Sequence, residues 1–370
     1  MREAMRQRLP LAVVSSAPTG VEVRAERPLR DYTTLRLGGP ARRFVRATSA
    51  DEVVHAVRAA DAEREPLLLL GGGSNLVIAD AGFEGSVVRI ANRGWRVDGN
   101  TVTAEAGEDW DELVAALVAE GFGGLECLSG IPGLVGATPV QNVGAYGVEV
   151  SASLVSVDLL DRPSGEVRTV PATDLGLGYR TSMLKGTDRA VVLRVRFELG
   201  RSGEAAPIQY AELARLLGVT AGSRVPAPRA REAVLELRRA KGMVLDPDDH
   251  DTWSAGSFFT NPIVPAHELP PVLERVERIA GPDARMPRWP AREGEKLSAA
   301  WLIEHAGFGK GHSGPGGRVS LSTKHTLAVT NRGTASTEDL LALAREVRDG
   351  VGTAFGVELR PEPLLVGCVL

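Results

Sequence analysis

Three consecutive glycines, Gly71-Gly72-Gly73, follow a run of four leucines, Leu67 to Leu70, and lead into Ser74-Asn75. A short apolar run broken this way reads as a buried strand ending in a loop. Three glycines let the backbone take positive φ and turn several N–H groups toward one anion, so the loop suits a pyrophosphate. It is neither the GxGxxG dinucleotide fingerprint nor the P-loop GxxxxGK[ST], because no helical pattern or lysine follows in register. Taken alone, a tight turn at a strand end accounts for it equally well.

A second stretch of the same character shifts that balance. Ser129-Gly130-Ile131-Pro132-Gly133, then Gly136-Ala137-Thr138, then Gln141-Asn142-Val143-Gly144-Ala145-Tyr146-Gly147 are close-approach residues with polar side chains at intervals. A long segment without periodicity in a compact chain is commonly functional. Two such loops can grip the two ends of an extended dinucleotide.

Around the loops the periodicity alternates between strand and helix. Phe44-Val45, a helix over 51–62, and a strand over 66–70 form a first unit. Val97, Val102 and Ala104, a helix over 110–120, the alternating Leu154 to Leu159, the run Val191 to Phe197 and a helix over 224–239 form a second. A third holds amphipathic stretches at 272–279 and 299–305, a Gly-rich loop over 307–317, a strand over 326–330 and a helix over 337–350. The apolar tail 357–370, with Pro361 and Pro363, can return to the first unit as an edge strand. At 370 residues, two or three domains are expected, and 43% apolar with 24% charged residues excludes disorder over most of the length.

Charge and cysteine usage narrow the partners. Formal charge is -4, so no global positive field attracts nucleic acid or anionic lipid, and neither is expected as a partner. No apolar run approaches the roughly 18 to 20 residues of a membrane span. Cys127 and Cys368 sit in apolar contexts and read as two thiols, which fits a reducing cytoplasm. Arg2, Arg6 and Arg8 before Leu9 to Val14 imitate a secretory signal, but the apolar stretch is short and holds a proline, so an N-terminal extension is the expectation. The six histidines and two cysteines show no ligand spacing, and no metal is expected.

The strings GGGSN, SGIPG, GATPVQNVGAYG, GYR at 178–180, AGSFFTNP at 255–262, WLIE at 301–304 and STKHTLAVTN at 322–331 stand in one order. In that order, from about residue 28 to the C-terminus, the chain resembles the UDP-N-acetylenolpyruvoylglucosamine reductases, the MurB family. The resemblance implies an α+β protein: a vanillyl-alcohol-oxidase-type FAD-binding fold of two subdomains plus a third α+β substrate-binding domain. The boundaries it suggests are an extension over 1–27, a first FAD subdomain over 28–90 completed by 355–370, a second over 91–242, and a substrate domain over 243–354. It further implies FAD held without a covalent link, NADPH as hydride donor, and a cytoplasmic monomer reducing a UDP-sugar in peptidoglycan precursor synthesis.

Residue roles carry over from matching motifs. Gly71, Gly72, Gly73, Ser74 and Asn75 should meet the FAD pyrophosphate; Ser129, Ile131, Gly136, Gln141, Gly144, Ala145 and Tyr146 should line the ribityl and ring region. The family's general acid falls on Ser257, a residue that spacing alone would assign to a turn. Arg180 matches the arginine on the enolpyruvyl carboxylate, where a guanidinium fork is apt, and Glu362 matches the catalytic glutamate. Asn261, Tyr210, Lys241 and His325 match substrate contacts, Tyr210 and Lys241 at the UDP diphosphate. Two other functions compete: a different oxidoreductase on the same FAD scaffold, and a non-catalytic nucleotide-binding module. The first leaves the Ser257, Asn261, Arg180 and Glu362 set unexplained; a colourless purified protein would favour the second.

Overall fold

The computed structural model describes residues 22–24 and 27–370. The arginine-flanked apolar stretch near the N-terminus, and most of the expected extension, lie outside the described residues.

In the first unit, Pro40–Ala47, Phe83–Ile90 and Leu67–Leu70 run parallel in that spatial order. Glu22–Arg24 and Arg27–Pro28 add antiparallel edges on Pro40–Ala47. Helix α1, Ala50–Ala62, returns the chain between the parallel strands. Ser49 caps it by accepting from Glu52 N, and Val53, Val57 and Ala60 form its buried face. Because the strands are parallel, their C-terminal ends lie together, and Leu70, beside Arg89 and Arg46, delivers the glycine loop to that rim.

The second unit is an antiparallel sheet ordered Glu166–Pro171, Leu154–Asp161, Ala190–Glu198, Thr101–Glu105, Trp95–Asp98. Helix α2, Trp110–Ala119, packs Trp110, Leu113, Val114 and Leu117 onto it. Val45, Val57 and Val88 of the first unit share a continuous core with Val102, Trp110 and Val195 of the second, so the crevice between the units has a rigid floor. Two helices, α3, Ala211–Leu217, and α4, Ala227–Ala240, close this unit. The periodicity had marked only the latter.

The third unit contains α5, Leu269–Ala280, a small sheet of Ile263–Pro265, Gly294–Leu297 and Arg288–Ala291, α6, Ala299–His305, and the hairpin Val319–Leu321 with Val329–Asn331. Its axis is α7, Thr337–Phe355, which runs past the expected end at residue 350 and stops where Gly356 takes φ 73°. The Asp80 carboxylate accepts from the Thr337 amide at 2.9 and 3.0 Å, tying the first unit to the N-terminus of α7. In the tail, Leu364–Val366 lies parallel to Leu76–Ile78, and Leu364 N donates to Asn75 O at 3.0 Å. That pairing brings the Arg-Pro-Glu-Pro segment back to the glycine loop. Among the described residues no helix is long and apolar enough to cross a membrane.

Candidate active site

The two glycine-rich loops form one surface. A Cβ on Gly72 would lie 2.5 Å from Gly133 Cα, and one on Gly73, at φ 63°, would lie 1.9 Å from the Tyr32 carbonyl oxygen. Neither position tolerates a side chain, because backbone fills the space on both sides. The second loop is pinned to the start of α2: Trp110 Nε1 donates to Leu128 O at 2.9 Å, Gly130 N to Asp111 Oδ1 at 2.6 Å, and Gly136 N to Ala106 O at 2.9 Å. Ser129 is fully buried and its hydroxyl donates to Glu126 O at 2.6 Å.

Beside Gly72 opens a cavity of about 830 Å³, bordered by Arg30, Tyr32, Arg36, Arg89, Trp253 and Asn331 among others. Its size lies within the usual range of cofactor sites. Two of its donors, Arg89 Nη1 and Trp253 Nε1, are buried without a protein partner. Burial pushes the Arg89 pKa below its ordinary value. Unpaired buried donors are costly, and an anionic or carbonyl-bearing ligand relieves that cost. Arg36 lies 3.8 Å over the Trp253 ring and takes φ 53°. The donor set and the close-approach glycines thus fit a phosphorylated dinucleotide such as FAD.

On the other side of the loops, Glu362 is a hub. Asn75 Nδ2 donates to Gln141 Oε1 at 3.2 Å, Gln141 Nε2 to Glu362 Oε1 at 3.4 Å, and Arg180 Nε lies 3.5 Å from the same carboxylate oxygen. The Arg180 Nη2 also donates to Gly144 O at 2.7 Å. Burial raises the Glu362 pKa above its ordinary value, while Arg180, Lys185 and Gln141 act in the opposite sense. Three non-glycine residues here take positive φ: Asn142 at 46°, Tyr146 at 52° and Arg180 at 53°. Such strain persists where surrounding contacts over-determine it, and it clusters at ligand sites.

The strand-like segment carrying Ser257 runs against the Glu362 segment. Glu362 N donates to Phe258 O at 2.9 Å, and Phe259 bridges Pro361 in antiparallel sense. Phe258 and Phe259 are buried, whereas Ser257 between Gly256 and Phe258 is only partly covered. Asn261 accepts from Ala299 N at the start of α6 through its Oδ1, at 3.0 Å, and its side chain also hydrogen-bonds that of Tyr179. Ile131 packs at the edge of the large core, and Ala145 pairs with Val148.

Tyr210, Lys241 and His325 form a separate group. The Tyr210 and Tyr146 rings meet edge to face at 5.4 Å. Lys241 Nζ is paired with Glu212 Oε2 at 2.7 Å, so an anion there must compete with a carboxylate. Burial, with Lys241 and Lys310 nearby, lowers the His325 pKa to about 4, which leaves its ring neutral at pH 7. Among the described residues there is no cluster of three or more groups able to hold a metal ion. The two cysteines are free thiols.

Sequence reasoning passed over Arg89, Trp253, Arg36 and Tyr179. One signal was present: Arg89 interrupts the apolar run Val87-Val88-Arg89-Ile90, a charge inside a buried strand. Arg238, on the helix expected over 224–239, lies beside Tyr146 with its Nε buried and without a partner among the described residues. Its guanidinium donates to Met243 O at 2.7 Å.

Comparison with known proteins follows this geometry. Residues 41–171 match a family model described as an FAD binding domain, and residues 246–366 match one described as the UDP-N-acetylenolpyruvoylglucosamine reductase C-terminal domain. A UDP-N-acetylenolpyruvoylglucosamine reductase of Saccharopolyspora erythraea is 66% identical over 361 residues, covering 96% of this chain and 97% of that protein. Another, of Mycolicibacterium smegmatis, is 54% identical over 367 residues, covering 97% and 99%. Among solved structures, the UDP-N-acetylenolpyruvylglucosamine reductase (MurB) of Thermus caldophilus superposes with a TM-score of 0.64 at 26% identity, covering 94% of this chain and 98% of that one.

Proposed function

The chain belongs to the UDP-N-acetylenolpyruvoylglucosamine reductase family, and from that premise we propose how its own residues carry out the reduction of UDP-N-acetylglucosamine enolpyruvate. The reaction adds a hydride to the terminal enolpyruvyl carbon and a proton to the carbon bearing the carboxylate. When bound, FAD supplies the hydride after receiving it from NADPH.

Negative charge grows on the substrate carboxylate as the hydride arrives, so a cation placed there stabilises the transition state more than the ground state. Arg180 is that cation: its fork is fixed by Gly144 O and by Glu362, with its strained turn holding the aim. Ser257, in the segment paired with that of Glu362, gives the proton from its hydroxyl, and the basic carbanion-like centre is strong enough to take it. Burial raises the Glu362 pKa, so its carboxyl holds a proton more readily than an exposed glutamate does. Asn261 helps to orient the sugar, and Tyr210 and Lys241 hold the diphosphate once Lys241 leaves Glu212.

The Gly71 to Asn75 loop holds the FAD pyrophosphate, with the Arg89 and Trp253 donors in the adjoining cavity. Gly136, Gln141, Gly144, Ala145 and Tyr146 flank the ring. We place the division of labour at a first FAD unit over 28–90 with 355–370, a second over 91–242, and a substrate unit over 243–354. NADPH and the sugar use this one cleft in alternation. The enzyme works as a monomer, and its free thiols suit a reducing cytoplasm, where its product feeds wall synthesis during growth and division.

The single observation that carries this reading is the network in which Gln141 and Arg180 meet the Glu362 carboxylate while Asn75 holds Gln141 and the Glu362 backbone carbonyl. The purified protein should be yellow, bleach with NADPH and recover its colour on adding the enolpyruvyl sugar. Colour that recovers only with oxygen would point to an oxidase on the same scaffold. Parallel initial-rate lines are expected for alternating use of the cleft; intersecting lines would refute it.

A further inference from the structure

Arg180 sits in a two-residue turn. Gly178 and Thr181 exchange both backbone hydrogen bonds, at 3.1 and 3.2 Å, leaving Tyr179 and Arg180 at the tip. A non-glycine residue at φ 53° does not hold such a turn by itself. The backbone is tied on one side by Asn142 Nδ2, which donates to Gly178 O at 3.1 Å, and by Lys185 Nζ, which donates to Arg180 O at 2.9 Å.

A tie from the third unit reaches the opposite side. Lys296 Nζ stands 4.1 Å from the Tyr179 ring centroid and 5.6 Å from that of Trp289. Register places Ile263, Lys296 and Trp289 directly across from one another on the three-stranded sheet, hence on one face. Tyr179, Ile263 and Trp289 are large side chains left 44 to 51% exposed around the Lys296 ammonium. On its other side the Tyr179 ring faces the Arg180 guanidinium, 5.4 Å from centroid to Cζ.

We propose that Lys296, gripped between Tyr179 and Trp289, is a positioning residue that clamps the Tyr179-Arg180 turn to the substrate unit and so holds Arg180 on the sugar's carboxylate. The ammonium acts through the ring faces and does not touch the substrate. This inference rests on the proposed role of Arg180. Because the clamp joins two units across the mouth, it also sets how closely the third unit stands over a bound sugar.

Four variants of the full FAD-loaded chain test it: Lys296→Met, Lys296→Arg, Trp289→Leu and, as a benchmark, Arg180→Lys. Stopped-flow absorbance reads reoxidation of the NADPH-reduced protein by the enolpyruvyl sugar over a range of sugar concentrations. Lys296→Met should raise the half-saturating sugar concentration by about 2- to 30-fold, the span of a cation–π contact from exposed to desolvated. Trp289→Leu should move it in the same direction. Lys296→Arg, which keeps a cation over the rings, should recover most of the loss, while FAD affinity and melting temperature stay near wild type in all three. A Lys296→Met protein that binds sugar normally, a failure of arginine to rescue, or an equal loss of FAD would overturn the clamp. If Arg180→Lys is itself as fast as wild type, the carboxylate role fails and takes this inference with it; if Arg180→Lys is slow and Lys296→Met normal, only the clamp is lost.

Discussion

Arg180 Nε lies 3.5 Å from Glu362 Oε1 although the two residues are far apart in the chain, one in a loop of the second unit and one in the C-terminal tail. Both side chains are largely covered, and each has a further tie: Arg180 to Gly144 O, Glu362 to Gln141. Two charged groups held this way stay where substrate needs them, because rearrangement would expose unpaired polar atoms.

Arg180→Lys keeps the charge and loses the fork, and Glu362→Gln keeps the shape and loses ionisation. Each should slow reoxidation of reduced flavin by the sugar by about 10²-fold or more, the usual effect of losing one well-placed electrostatic partner. FAD content, read from the visible spectrum after gel filtration, should not change. Release of flavin from either variant would move that residue to the cofactor's side of the site.

Ser257→Ala separates the half-reactions. Flavin reduction by NADPH requires no proton on the sugar and should proceed near the wild-type rate. Reoxidation requires it and should slow by about 10² to 10⁴-fold. Rapid-mixing absorbance follows both steps in one protein; equal slowing of the two would make Ser257 a structural residue of the cleft wall.

Arg89 and Trp253 carry donors that no group among the described residues satisfies. Trp253→Phe and Arg89→Met should therefore leave the flavin-free protein as stable as wild type or more so, since each removes an unpartnered buried donor. The same changes should weaken FAD binding by about 10-fold or more per donor. Fluorescence recovery on flavin release measures the affinity, and thermal melts of the flavin-free protein measure the stability. Loss of stability without loss of FAD affinity would show that the cavity is not the cofactor's.

His325 has its pKa lowered to about 4 by burial, with the cations Lys241 and Lys310 adding to the effect. An unfolded histidine titrates near 6.5, so the unfolded chain binds the proton more readily. Stability from this group is complete above that value and falls as pH drops from about 6.5 toward 4. His325→Gln should flatten that part of the stability curve in chemical denaturation. The pH profile of sugar-driven reoxidation between 6 and 8 should be unchanged in shape, because the ring is neutral throughout; a break near 6.5 lost in the variant would mean that the histidine titrates in the working enzyme.

Local pattern in the sequence was enough for much of this molecule. The helix expected over 51–62 forms at Ala50–Ala62, because Val53, Val57 and Ala60 recur at helical spacing behind a Ser49 cap. The α+β class and the FAD scaffold were legible through the family resemblance that the ordered motif strings carry. Less was legible where the signal was short or mixed. Helix α3, seven residues long, carried no expectation from the sequence, and α7 runs through Gly350 and Gly352 because Val347, Val351 and Phe355 are buried beneath them and outweigh the propensity of glycine.

The sequence by itself determined which backbones could approach a phosphorylated ligand, since Gly72 and Gly73 admit no side chain and that constraint is written in the residue type. Only tertiary structure decided what surrounds them. Parallel pairing of Leu364–Val366 with Leu76–Ile78 brings Glu362 to Asn75 and Gln141, and the seating of the third unit sets Trp253 over the cavity and Lys296 over Tyr179. Contacts between residues hundreds of positions apart leave no period or motif in the chain, because they depend on how whole units bury their faces against one another.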